Sequence, residues 1–181
     1  YAANIAVLSD GNHETSILRH HQTDLLERLT GSLRRDKSPA LHLPFTGFVR
    51  FRFEDASKHA ISKTLHYHHG YGGGGEVTRG LIDQSRTRGQ YVADVYYSGH
   101  IHRRNSDENV ITSLDHFGSP VESQQLFLRG GCYKRETHGG NGYHIEKGRA
   151  GRPVGGWWIY FDLSRTSKSG LRCDLSYEAA N

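Results

Sequence analysis

The chain has no methionine, only two cysteines and four prolines among 181 residues, and no apolar run near the ~20 residues that a membrane-spanning helix needs. Each shortage closes a class of answer. Cys132 and Cys173 stand far apart and form no Cys-x-x-Cys pair, which argues against both a zinc ribbon and a disulfide-stapled scaffold. A reducing cytoplasm is the expected compartment. No charged start, apolar middle and small-residue cleavage site marks a secretory leader, and without a spanning segment no membrane partner is expected. The chain opens at Tyr1 without an initiator methionine, so its true start is expected to lie elsewhere.

What is plentiful is histidine and glycine, 13 and 22 residues respectively. Histidine binds metals and moves protons near neutral pH, while glycine lets backbone approach a ligand closely. The formal charge of +4 suits an anionic partner such as a phosphorylated compound or a nucleic acid, but it is modest and not gathered in one block. With 35% hydrophobic residues, strong turn signals and no repeat or low-complexity segment, residues 1–181 are expected to form one domain or a large part of one.

The stretch that organises the chain is Asp94-Val95-Tyr96-Tyr97-Ser98-Gly99-His100-Ile101-His102-Arg103-Arg104, a buried β-branched and aromatic strand running into a glycine and a His-x-His pair. Two imidazoles one residue apart cannot both enter an apolar core cheaply, yet they can serve as nitrogen ligands to one metal or to two adjacent metals. A solvated histidine-rich loop would look the same in isolation.

Two further polar clusters follow predicted strands. Residues 4–8 read as a short buried strand that delivers Ser9-Asp10-Gly11-Asn12-His13-Glu14 into a loop. Residues 63–68 read as a strand that passes His69 and Gly70 into the glycine run 72–75, with a helix predicted over 77–90. Strand, glycine loop and helix can bind an anion through exposed N–H groups and the positive end of the helix dipole. The run lacks the Gly-Lys-Ser/Thr ending of a nucleotide loop, so a flexible turn reads equally well. Alternation puts His68 and His69 on opposite faces, so only one of them is expected to point into a site.

The remaining elements read as scaffold. A leucine-bearing amphipathic helix runs over 23–33 with Thr23 as the expected N-cap, and residues 48–53 alternate Val49, Phe51 and Phe53 against Arg50 and Arg52 as a half-buried strand does. Residues 109–114 and 124–128 are predicted strands joined by a turn at 118–120, and residues 157–163 and 171–177 a terminal hairpin, with Trp157 and Trp158 as core and rim aromatics. Between them, residues 130–156 carry nine glycines and are expected to form a functional flap.

Three polar clusters at three strand ends, separated by helical segments, make the α/β pattern in which ligands bind at the carboxyl ends of strands. Gly11-Asn12-His13-Glu14, His69-Gly70 and Gly99-His100-Ile101-His102 also occur in the order of the last three motifs of the calcineurin-like metallophosphoesterase superfamily, which the chain resembles over roughly residues 4–104. The resemblance implies a four-layer αββα sandwich with mixed sheets. It implies that Asn12, His69 and His100 hold one metal and His102 a second, the ions being manganese, iron or zinc rather than magnesium or calcium. It implies that two such ions, ~3.5–4 Å apart, activate a hydroxide for in-line attack on a phosphate ester. His13 would then protonate the leaving oxygen or stabilise the phosphoryl charge, with Glu14 orienting it. Gly72, Gly73 and Gly74, with Arg103 beside the His-x-His pair, are the expected substrate contacts.

The departure from the family pattern is equally specific. Its first two motifs, Asp-x-His and Gly-Asp-x-x-Asp, occur nowhere in this sequence, although they supply the bridging Asp and most ligands of the second metal. The expectation is therefore a portion of such an enzyme, completed by an N-terminal segment or a complementary chain. The alternative is a degenerate relative that holds a metal or a phosphate without turnover. A histidine-rich structural domain with fortuitous motifs leaves their family order unexplained. Phosphomonoesters, nucleotides, phosphoproteins and nucleic-acid strands all suit the chemistry as substrates, and the net charge does not separate them.

Overall fold

The computed structural model describes residues 1–73, 81–135, 138–140, 142–146, 148–166 and 170–181, and the chain divides into two compact units. The first comprises Tyr1–Gly47 with Tyr67–His69, the second Phe48–His66 with Gly70–Asn181. The fold is α/β, with a mixed five-stranded sheet and few helices. Among the described residues, no helix is long and apolar enough to cross a membrane.

In the first unit, β1 (Val7–Ser9) pairs in parallel with the short β2 (Leu41–Leu43), Val7 opposite Leu41 and Ser9 opposite Leu43. The strand expected over 4–8 thus begins later, because Ala2–Asn4 close a 3₁₀ turn first. Between the strands lie α1 (Asn12–His21) and α2 (Leu25–Arg35). Helix α1 corrects the loop expected there. Its sequence has no apolar stripe, with Ile17 and Leu18 as its only large aliphatic residues, but Glu14 in its first turn and Arg19, His20 and His21 in its last complement the helix dipole. It ends at Gln22 in the left-handed conformation (φ 50°). Helix α2 starts at Asp24 rather than Thr23. The Asp24 carboxylate accepts from the Glu27 amide at 2.8 Å, whereas the Thr23 hydroxyl turns back to the His21 carbonyl.

The five-stranded sheet, all in the second unit except the first two residues of β3 and the last two of β4, has the order β3 (Thr46–Glu54), β4 (Ala60–His68), β5 (Val95–Ser98), β7 (Pro120–Arg129) and β6 (Asn105–Leu114). Strands β5 and β7 are parallel, Val95 opposite Leu126 and Ser98 opposite Arg129, while β6 and β7 form an antiparallel hairpin. That hairpin extends the sheet as the sequence predicts. It turns through Asp115, whose Oδ1 accepts from the Phe117 and Ser119 amides, and Gly118 at φ 80°. Strand β3 keeps its predicted alternation, with Arg50 and Arg52 exposed and Val49, Phe51 and Phe53 half-buried. Of the helix predicted over 77–90, α3 (Leu81–Arg88) falls within the described residues. Its Arg88 guanidinium lies over the Phe127 ring at 4.1 Å.

The core sits under β5 and β7. Val95, Leu126 and Leu128 are fully buried and pack with the nearly buried Leu175, and burial of each such side chain is worth about 1.5–3 kcal/mol. Strand alternation turns Tyr96 to the opposite face, where it stacks on Phe127 at 4.5 Å. Strands β8 (Gly156–Thr166) and β9 (Gly170–Ala180) form a separate antiparallel pair. Trp157, Ile159 and Phe161 pack against the core, and Trp158 is 60% exposed, in agreement with core and rim roles for the two tryptophans. Of residues 130–156, the described ones include α4 (Tyr143–Glu146) and a parallel bridge between Cys132 and Val154.

Candidate functional site

The first unit brings together two of the predicted ligands. Gly11 is the N-cap of α1, and its extended backbone (φ −124°) places Asn12 as the first helical residue. The Asn12 Oδ1 lies 2.7 Å from His69 Nε2, a contact between residues 57 positions apart. His69 is fixed by its own amide, which donates to the Phe45 carbonyl at 2.8 Å, and by an edge contact of its ring with Phe45. Gly11 has no room for a side chain. A Cβ there would stand 2.6 Å from Glu14 Oε2 and 2.8 Å from His69 Cε1, so glycine at this position permits the Asn12–His69 approach. Of the two adjacent histidines, it is His69 that meets Asn12, while burial lowers the pKa of His68 and favours its neutral form. His13 is the second residue of α1 and is exposed.

Ligand chemistry gives the 2.7 Å approach a second meaning. At 2.7 Å the pair is a hydrogen bond, and an amide oxygen and an imidazole nitrogen are also two atom types that can ligate a metal ion. Against this, among the described residues no three His, Cys, Asp or Glu side chains are grouped closely enough to hold an ion.

A residue that sequence reasoning missed lies beside this cluster. His42 on β2 places Nε2 2.8 Å from Asp10 Oδ1 and Nδ1 3.6 Å from Glu27 Oε2. Asp10 adjoins the Gly11-Asn12 pair, but nothing in the sequence links it to a histidine 32 positions away. The hydrogen bond to Asp10, helped by the charges of Asp10 and Asp24 and by Glu27, outweighs burial and raises the His42 pKa above 6.5. A raised histidine pKa adds stability that is complete below the unfolded value and fades as pH climbs through the folded one. His68, with its lowered pKa, acts in the opposite sense, weakening the fold as pH falls below 6.5. Comparison of the wild type with His42→Gln cancels the His68 contribution. The stability gap between them, measured by thermal denaturation, is expected to be wider near about pH 5.5 than near about pH 8.5. An equal gap at both would show that the Asp10–His42 pairing has no charged component.

In the second unit the predicted His-x-His pair follows β5 directly. His100 (φ 70°) and His102 (φ 54°) both adopt the left-handed conformation, uncommon for residues with a side chain, and they flank the buried Ile101. The Ile101 amide donates to the Gly99 carbonyl at 2.9 Å, which closes the turn. Gly70 (φ 101°) lies against it, since a Cβ there would meet the Gly99 carbonyl oxygen at 2.7 Å and His100 Cβ at 2.9 Å. Strain of this kind concentrates at functional sites. At position 100, glycine is expected to be more stable than alanine by about 1 kcal/mol, the reverse of their usual order, because only glycine adopts this backbone freely. Equal denaturation midpoints for His100→Gly and His100→Ala would deny the strain.

Among the substrate contacts expected from sequence, Gly72 has φ 84°, a conformation that favours glycine, and a Cβ on Gly73 would meet nothing within 4 Å among the described residues. Gly74 lies outside the described residues. Arg103 is half-buried. Asn12, His13 and His69 belong to the first unit, and His100, His102 and Arg103 to the second. No family model, curated protein or solved structure matches the chain.

Proposed function

We propose that the chain carries part of the site of a metal-dependent hydrolase of phosphate esters, built on the four-layer αββα sandwich of the calcineurin-like metallophosphoesterases, with the ligands of the Asp-x-His and Gly-Asp-x-x-Asp motifs missing from it. The observation that carries this is the 2.7 Å approach of His69 Nε2 to Asn12 Oδ1, which pairs two residues of widely separated motifs as the ligand assignment requires. By the resemblance, Asn12, His69 and His100 would hold one ion and His102 a second, the ions being manganese, iron or zinc. Such ions would supply charge neutralisation at phosphorus and a nucleophile at neutral pH. The chain's own residues do the rest. Asn12 and His13 open α1, where the positive end of the helix dipole favours a phosphoryl group, and His13 gives its proton to the leaving oxygen. Gly72 and Gly73, with Arg103, would contact the substrate phosphate. The cytoplasm is the compartment that fits the cysteine usage.

Metal stoichiometry tests this. Three of the four ligands serve one position, so the chain is expected to bind one transition ion tightly and to lose it in His69→Ala. Elemental analysis after dialysis that finds no ion in the wild type would sink the proposal. Two tightly held ions per chain would instead show that the second position has ligands besides His102. A second reading is favoured by the lack, among the described residues, of three grouped His, Cys, Asp or Glu side chains. In it the chain holds one metal or a phosphate without turnover, and an ion-loaded preparation inert towards an activated aryl phosphate would support it.

A further inference from the structure

The turn that carries His100 and His102 has strained backbone on both sides of Ile101, and something must hold it. Ile101 does part of this from within, being only 8% exposed. Its carbonyl receives a guanidinium from a distant part of the chain, Arg152 Nη1 at 2.9 Å, 51 positions away. Arg152 is itself placed by a closed set of backbone bonds. Val154 bridges to Cys132, the Gly155 amide donates to the Cys132 carbonyl at 2.8 Å, and the Gly131 amide donates to the Gly155 carbonyl at 2.9 Å. Arg104, two residues beyond His102, grips the same segment from the other side, donating to the Val154 carbonyl at 3.3 Å and the Ala180 carbonyl at 3.1 Å. At the start of the turn the Gly130 amide donates to the Ser98 carbonyl at 2.8 Å, and the buried Arg129 donates from Nε to Ser98 Oγ at 3.3 Å.

From this geometry we infer that Arg152 is a positioning residue for the His100-Ile101-His102 turn, and that the bonds joining Gly131 and Cys132 to Val154 and Gly155 serve to deliver it. A hydrogen bond from a charged donor to a part-buried carbonyl is among the stronger ones, and the planar guanidinium fixes its direction as well as its strength. Without it the Ile101 carbonyl loses a charged donor, and the two left-handed histidines lose a restraint that offsets their strain. The consequence for metal affinity rests on the assignment of His100 and His102 as ligands. The positioning itself does not.

The test uses the full chain without metal, followed by zinc alone. In ¹H–¹⁵N spectra, Arg152→Leu is expected to displace the ring signals of His100 and His102 and the amide signals of residues 99–103, leaving α1 and α2 unmoved. Zinc affinity by calorimetry should fall about 10- to 100-fold, the usual range for losing a group that orients a ligand. Arg152→Lys retains a charged donor without the planar fork, so it should displace the same signals less and recover part of the affinity. Should the leucine variant not fold, the lysine variant alone decides, by a displacement confined to residues 99–103. Turn signals at their wild-type positions, or displacement spread evenly through the second unit, would overturn the inference. Displaced signals in a chain that never binds zinc would uphold the positioning and reject the ligand assignment.

Discussion

In a preparation that turns over phosphate esters, His13→Ala is expected to lower the rate by roughly 10²–10⁴-fold while leaving metal content nearly intact. His13 follows Asn12 at the start of α1 and is exposed, so its removal opens no cavity and breaks no packing. The loss should fall on the chemical step. His100→Ala should behave differently, losing ion and activity together, because an ion deprived of an imidazole nitrogen is under-coordinated. Leaving groups that depart readily need less protonation, so an activated aryl phosphate should partly restore the His13→Ala rate relative to an alkyl ester. Equal loss of metal in both variants, or no relative gain on the aryl ester, would remove His13 from the role of acid.

That contrast depends on motif residues whose legibility differed. The His-x-His turn was readable because a β-branched and aromatic strand ending in glycine is a local pattern, and β5 ends at Ser98, just before Gly99. The alternation of β3 and the β6–β7 hairpin were readable for the same reason, since side-chain period and turn residues are written in consecutive positions. Helix α1 was not readable as a helix. Ten residues with two large aliphatic side chains show no apolar stripe, and its capping and charge pattern is a weaker signal than the polar motif that occupies its first turn. The Asn12–His69 pairing was legible only through the family order of the motifs, whereas His42 with Asp10 and Arg152 with Ile101 carry no local signal at all. Their partners lie 32 and 51 positions away, and it is the folded chain that brings them within hydrogen-bond reach. The glycines divide in the same way, because sequence counts them equally while the structure separates those under steric demand from those in open space.

Gly155 is under the severest demand. Its φ of 102° disfavours any side chain, and a Cβ built on it would stand 1.8 Å from the Ala180 carbonyl oxygen and 2.9 Å from its carbon. Both are backbone atoms near the end of β9, so no rotamer change relieves the clash. Either β9 moves away or the chain at 155 takes another conformation. The first course disturbs the register that sets Gly156 opposite Ala180, and the second breaks the bonds of Gly155 with Cys132 and Gly131. Backbone strain of this type alone costs about 1–3 kcal/mol, and lost hydrogen bonds add to it. Gly155→Ala is therefore expected to destabilise the protein by about 3 kcal/mol or more, which for a chain of this size lowers the melting midpoint by roughly 6–12 °C. Gly73→Ala is the control, since its Cβ meets nothing within 4 Å among the described residues, and its stability should stay within about 0.5 kcal/mol of the wild type. The disturbance at 155 should also reach the histidine turn, because Arg104 binds the carbonyls of both Val154 and Ala180, and Arg152 lies three residues before the substituted position. Similar melting midpoints for the two alanine variants would mean that the close approach of Gly155 to β9 does not constrain the fold.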